Sequence, residues 1–164
     1  MAQQGGDPSD NVVVIAARHA LPEYFKYSAY ICKRERTFRP CIRLAFYTNN
    51  KIDRRVPKIV GQIDAISRGE IETRSDLSDL ERERLQGLLE SKLERTKGVS
   101  HPWNQQFKIL LLSSPESPET LILPHDVVNN LTSRSGRRTA FTQWQRYVSL
   151  SRLEEGPETT SELI

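Results

Sequence analysis

At 164 residues and 18.8 kDa, the chain has the length for one hydrophobic core and little more. Hydrophobic residues make up 37% and charged residues 27%, with a mean hydropathy of −0.57, which points to a soluble globular protein. The longest apolar runs, Val12–Ala17 and Ile109–Leu112, fall short of the ~20 residues of a membrane span and lack the basic-then-apolar order of a signal peptide. A cytoplasmic protein without membrane association is therefore expected. Two cysteines, Cys32 and Cys41, cannot build a disulfide framework or a four-thiolate zinc site.

The formal net charge of +3 conceals a segregation. Residues 18–68 carry twelve Lys/Arg against four Asp/Glu, and residues 131–153 carry five Arg and no acid. Residues 69–95 are acidic by three charges, and the last eleven residues hold four Glu without a base. Basic blocks distant in the chain make an anion-binding surface if they converge on one face. Dispersed, they only solvate strand edges and loops.

Taken in chain order, Met1–Asp10 is rich in Gln, Gly, Asp and Ser and reads as a disordered tail. Val12–Ala17 reads as a buried strand. Pro22 suits the first turn of a short helix through Tyr24–Ala29, because its missing N–H would be an orphan there. Lys33–Arg36 reads as a loop and Cys41–Thr48 as a strand. Asn49-Asn50 tolerates the positive φ of a tight hairpin. Ile52 and Val56–Ile66 form the return strand or strands, with Pro57 confining that point to an edge or bulge.

Ser75–Gly98 is a helix: Leu77, Leu80, Leu85, Leu88, Leu89 and Leu93 form one apolar stripe, Ser78 and Glu81 a capping box, and Gly98 the stop. Its Glu and Arg residues read as a solvated outer face. Phe107–Leu112 is a strand, Ser113–Pro118 a turn, and Thr120–Val128 begins as a strand. Ser133–Arg138 reads as an exposed loop, Gln145–Leu150 as a last strand, and Ser151–Ile164 as a polar tail with one helical turn. The expected class is α+β: a small β-barrel or partly open barrel with flanking helices and one inserted amphipathic helix. A single domain over residues 11–153 would carry the insertion at 75–98 and an acidic tail at 154–164.

Catalytic signatures are sparse. His19, His101 and His125 are scattered, and neither cysteine belongs to a Cys-x-x-Cys pair, so no metal or cofactor is implied. Cys41 reads as a small core side chain. Glu90-Ser91-Lys92 matches the acid–x–lysine triplet of metal-dependent nucleases. On a helix, however, residues two apart point in different directions. No glycine-rich phosphate loop or Gly-x-Ser-x-Gly elbow is present.

What remains is a binding constellation, because phosphates attract Arg and Lys while bases stack on flat rings. Arg134-Ser135-Gly136-Arg137-Arg138 is a cationic loop running into Phe141, Trp144, Arg146 and Tyr147. Arg43, Tyr47, Lys51, Arg54, Arg55 and Lys58 supply a second cluster around the hairpin, and Trp103 sits in a loop. The candidate nucleic-acid-binding residues are Arg43, Tyr47, Arg54, Arg55, Lys58, Trp103, Arg137, Arg138, Trp144 and Arg146. Phe141 and Trp144 also suit core anchors, and Arg55 also suits edge protection.

The path from Asn11-Val12-Val13-Val14-Ile15 through an aromatic-rich helix to Ile42-Arg43-Leu44-Ala45-Phe46-Tyr47 resembles PUA-like domains of the EVE and ASCH kind. Many of these have an Ala-Phe/Tyr-Tyr strand, a hairpin and a second strand with a small residue, here Lys58-Ile59-Val60-Gly61-Gln62-Ile63. The ending Gln145–Leu150, Leu153 and Thr159–Leu163 is similar to the closing stretch of some members. The second strand opens on Arg55-Val56-Pro57 where similar sequences carry a polar, often His-containing start. The resemblance implies a small β-barrel that binds RNA or DNA, often with a pocket for a modified or flipped base. The helix at 75–98 would then cap the pocket or bind another protein.

Three functions follow as expectations. The first is a non-catalytic RNA- or DNA-binding module. The second is a protein-interaction or regulatory subunit that docks or self-associates through helix 75–98. The third is a metal-dependent nuclease.

Overall fold

The β-branched run near the start becomes β1 (Asn11–Ala16) in the computed structural model, which describes residues 7–164. Neighbouring strand residues face opposite sides: Val12 and Val14 enter one core cluster, Val13 and Ile15 another. A strand covered on both faces needs a continuous apolar run, and residues 12–15 supply it. β1 pairs parallel with β3 (Arg43–Thr48) and antiparallel with β10 (Gln145–Ser149). Asn49 and Asn50, with φ of 53° and 63°, turn β3 into β4 (Lys51–Ile52), as their tolerance of that conformation predicts. β4 pairs with β9 (Val127–Val128), completing the order β10-β1-β3-β4-β9.

A second sheet has the order β2-β7-β6, formed by Ala29–Lys33, Gln106–Leu112 and Ile59–Ser67. Backbone bonds stitch its start to β3: Leu44 N–H donates to the Pro57 carbonyl (3.2 Å) and Ile59 N–H to that of Ile42 (2.8 Å). β5 (Arg55–Val56) pairs with β8 (Leu121–Ile122) alongside. The described residues thus form an α+β structure with four α-helices and a sheet curled into a half-barrel. No helix among them is long and apolar enough to cross a membrane.

Several boundaries differ from the sequence reading for identifiable reasons. Helix α1 (Ala20–Tyr27) stops where Ser28 turns left-handed (φ 49°), and the chain re-enters immediately as β2, of which the sequence reading gives Ala29 to the helix, Lys33 to a loop and the middle to no element. The expected strand Thr120–Val128 breaks at Pro124, which puts β8 and β9 in different sheets. A short helix α2 (Arg68–Thr73), capped by Ser67 and Glu70, precedes the long one.

Described residues near each end of the chain are also more engaged than expected. Residues 1–6 of the expected disordered tail lie outside the described residues, whereas Pro8–Asp10 form a 3-10 turn. The Asp10 carboxylate accepts bonds from the Ser149 hydroxyl (2.6 Å) and the Ser151 N–H (2.8 Å) at the start of α4 (Leu150–Glu154), which hold its pKa below the usual range. At the other end, Leu163 joins the core and the Thr160 hydroxyl donates to Asn129 Oδ1 at 2.8 Å, so the acidic tail packs back onto the sheet.

The long helix α3 (Asp79–Arg95) carries the expected capping box, with Ser78 Oγ accepting from Glu81 N–H and Glu81 Oε1 from Ser78 N–H, both at 3.1 Å. Leu85, Leu88 and Leu89 are buried against Ala29 and Ile31 of β2, Phe107 and Ile109 of β7, and Ile66 and Ile71. Leu77 and Leu93 flank this contact, whereas Leu80 is 76% exposed and leaves the stripe. At Gly87 the helix meets Tyr27 so closely that a Cβ would sit 2.6 Å from the ring. The leucine face is therefore internal, which corrects the expectation that helix 75–98 offers it for docking or self-association. Accordingly, Leu85→Ala should cost about 2–5 kcal/mol in urea unfolding, without the change of oligomeric state that loss of a docking face would bring.

Candidate functional site

The space between the two sheets is filled by Tyr24, Tyr30, Cys32, Leu44, Phe46 and their neighbours, but it is not sealed where β1 hands over to α1. There Ala16, Ala20, Ile31 and Cys32 line the apolar part of a cleft of about 520 Å³. Its charged lining consists of Arg18, Lys33, Arg36, Lys92 and Arg95, with Glu35 the one carboxylate and His19 beside them. Trp144, 70% exposed, completes the wall. Cationic side chains around a low-dielectric recess concentrate positive potential inside it.

Two of these groups are fixed by each other's surroundings. Arg36 donates from Nε to Gln145 Oε1 (2.7 Å), from Nη2 to the Trp144 carbonyl (3.0 Å) and from Nη1 to the Tyr30 hydroxyl. Its guanidinium lies 5.5 Å from the Tyr30 ring centre and 5.4 Å from that of Phe38. Burial pushes the Tyr30 phenol up to about 12, so it stays a neutral partner. Trp144 is held by its backbone, since its carbonyl also accepts from Ala16 N–H (3.2 Å), which leaves the indole in the open.

The opposite wall comes from α3. Glu23 of α1, only 5% exposed, accepts from Arg95 Nε (2.9 Å) and Nη2 (3.2 Å) and from the Ser91 hydroxyl (2.8 Å). One turn back, the Lys92 ammonium makes no hydrogen bond or ion pair with any described residue and lies 5.9 Å from the Phe107 ring centre. Burial, reinforced by Arg95, lowers its pKa below the ordinary lysine value, against smaller opposing effects of Cys32 and Glu23. A cation without a counter-charge in such a place gains from an incoming anion. Burial raises the pKa of the Cys32 thiol, so it is a poor nucleophile at neutral pH.

Of the ten residues the sequence nominates, only Trp144 lines this cleft. Tyr47 is 9% exposed, its ring against Phe141 and its hydroxyl bonded by the Asn129 amide at 3.2 Å, so it offers no open face for a base. Arg43 turns inward and donates from Nη1 to the Val56 and Glu119 carbonyls (2.9 Å each), with burial lowering its pKa. Arg54 donates to the Leu123 carbonyl, Arg55 pairs with Asp53 and covers the Phe25 ring, and Lys58 pairs with Glu119. Trp103, 57% exposed, lies under Arg68 at 4.8 Å. Arg137 and Arg138 are exposed on the 133–138 loop, and Arg146 stacks at 4.4 Å on Phe141. The Arg54/Arg55 and Arg137/Arg138 pairs therefore do not border the cleft, contrary to the expected convergence.

Sequence reasoning missed Arg18, Lys33, Arg36, Lys92 and Arg95. In the sequence the Lys33–Arg36 cluster reads as a loop, and Arg95 as part of a solvated helix face. In the Glu90-Ser91-Lys92 triplet the two charged groups do diverge: Glu90 is exposed and Lys92 enters the cleft. Compared with protein-family models, with curated proteins and with solved structures, the chain finds no match.

The Glu23–Arg95 pair joins the two walls and is open to test. Arg95→Met should destabilise the protein by about 3 kcal/mol in urea unfolding, because a buried carboxylate loses its cation. Adding Glu23→Gln should recover much of that loss.

Proposed function

We propose that this protein is a non-catalytic nucleic-acid-binding module of PUA-like kind, in which the cleft between β1, α1, β2 and α3 receives one base and its phosphate. The observation that carries the reading is the conjunction of five cationic side chains, one carboxylate and an exposed indole around a single cleft. A volume of about 520 Å³ falls within the range of small-ligand pockets and leaves room for a nucleotide. The apolar lining from Ala16, Ala20 and Ile31 suits a base plane, Trp144 suits stacking, and the unpaired Lys92 ammonium suits a phosphate oxygen.

The nominated residues take different parts in this reading. Trp144 remains the stacking platform. The phosphate-binding role moves from Arg54, Arg55, Arg137 and Arg138 to Lys33, Lys92 and Arg18, with Arg36 and Arg95 held by protein partners as the fixed frame. Support from architecture comes from the curled sheet with α1 directly after β1, the arrangement that the sequence resemblance leads one to expect.

The experiment is a titration of short RNA and DNA oligonucleotides at low salt, followed by fluorescence anisotropy. Trp144→Ala should weaken binding by about 5- to 150-fold, the equivalent of ~1–3 kcal/mol for one stacked base. The logarithm of the binding constant should fall linearly with log salt. Absence of binding to every oligonucleotide at low salt refutes the reading.

A further inference from the structure

The cleft has a neighbour. Thr37, Arg39, Gln145, Arg146 and Tyr147 surround an open basin of about 510 Å³ beside β10, with two guanidinium groups and no carboxylate in its lining. The partition between basin and cleft is the ridge where Arg36 meets Gln145, and hydrogen bonds brace it from both sides. Arg36 Nε donates to Gln145 Oε1 (2.7 Å), and Gln145 Nε2 donates to the Thr37 carbonyl (3.0 Å) and the Tyr147 hydroxyl (3.2 Å). The same hydroxyl accepts from Arg39 N–H at 2.8 Å.

The basin's cations are presented rather than neutralised. Arg39 lies 4.8 Å over the Tyr147 ring centre and Arg146 4.4 Å over that of Phe141, with Arg146 Nη1 also bonded to the Phe141 carbonyl (3.1 Å). Neither forms an ion pair with a described residue. A guanidinium over a ring keeps N–H donors for a phosphate, and Arg146 spends only Nη1 on the Phe141 carbonyl.

Resting on the nucleic-acid reading above, we propose that the ligand is a single polynucleotide strand which crosses the Arg36–Gln145 ridge. One base sits in the cleft against Trp144, and the phosphates of the nucleotides on one side of it lie in the basin on Arg39 and Arg146. A base seated in the cleft has left its Watson–Crick partner, and the basin adds affinity only for a strand that continues past it. The favoured ligand is therefore an oligonucleotide rather than a mononucleotide, and single-stranded rather than duplex.

The test compares a 5′-mononucleotide, a single-stranded hexanucleotide and a blunt duplex, each as RNA and as DNA, against the intact protein and Arg39→Gln/Arg146→Gln. The intact protein should bind the hexanucleotide at least about 10-fold more tightly than the other two, in one or both sugar series. The double variant should lose about 10-fold in hexanucleotide affinity, and its log K versus log salt slope should shrink by about 1.4, two phosphates at ~0.7 each. Arg39→Gln alone changes only an exposed side chain and should shrink the slope by about half as much. An unchanged slope in both variants, with Trp144→Ala still weakening binding, overturns the strand path and leaves the functional reading standing. Equal affinity for duplex overturns the single-strand assignment, and no binding of any oligonucleotide by the intact protein overturns both.

Discussion

The ion pair between Glu23 and Arg95 ties the helix that follows β1 to the helix that covers the second sheet. Arg84 of α3 also donates to the Tyr27 carbonyl at the end of α1, and the Ser91 hydroxyl to Glu23. In the ion pair, a carboxylate at 5% exposure and two donors at 2.9 and 3.2 Å fix one wall of the cleft relative to the other. Such a pair costs desolvation, so its contribution to stability is modest; its contribution to geometry is larger, because a bidentate contact tolerates little displacement. Lys92, one helical turn earlier on the same face, is carried to the cleft by that geometry.

Layering explains why the opening lies where it does. β1 and β2 are covered on both faces, and polar residues follow at the same margin of the molecule: Arg18 and His19 after β1, Lys33 at the end of β2 and Glu35 and Arg36 after it. Apolar side chains fill the space between the sheets until those ends are reached, and there cations take over. Arg36 then fastens the margin to the start of β10 through Gln145 and the Trp144 carbonyl. Three segments far apart in the chain thus contribute charge, backbone anchorage and an indole to one recess.

The parts of the fold that were legible in the sequence are those written in local chemistry. A double-faced apolar run gave β1, two asparagines gave the β3–β4 turn, and Ser78 with Glu81 marked the start of α3. What was illegible depended on tertiary placement. Ser28 in a left-handed conformation ends α1 without the glycine that usually signals it, so β2 was hidden. The lining of the cleft follows the same pattern: Trp144, which lines it, is conspicuous in sequence as a tryptophan beside arginines. Lys92 and Arg95 looked like any charged helix face, and only the packing of α3 across β2 turns them inward. Conversely, Arg43 and Tyr47 sit on a strand whose side chains serve carbonyls and core, which charge counting cannot show.

The proposed binding mode requires Trp144, rather than the chain's other tryptophan, to meet the ligand. Trp103→Phe leaves Trp144 as the single indole, and Trp144→Phe leaves Trp103. Steady-state emission from each variant, recorded while a single-stranded oligonucleotide is added at low salt, separates the two surfaces. The proposed binding mode predicts saturable quenching in the protein that keeps Trp144 and a flat response in the one that keeps Trp103. Quenching confined to Trp103 would contradict it.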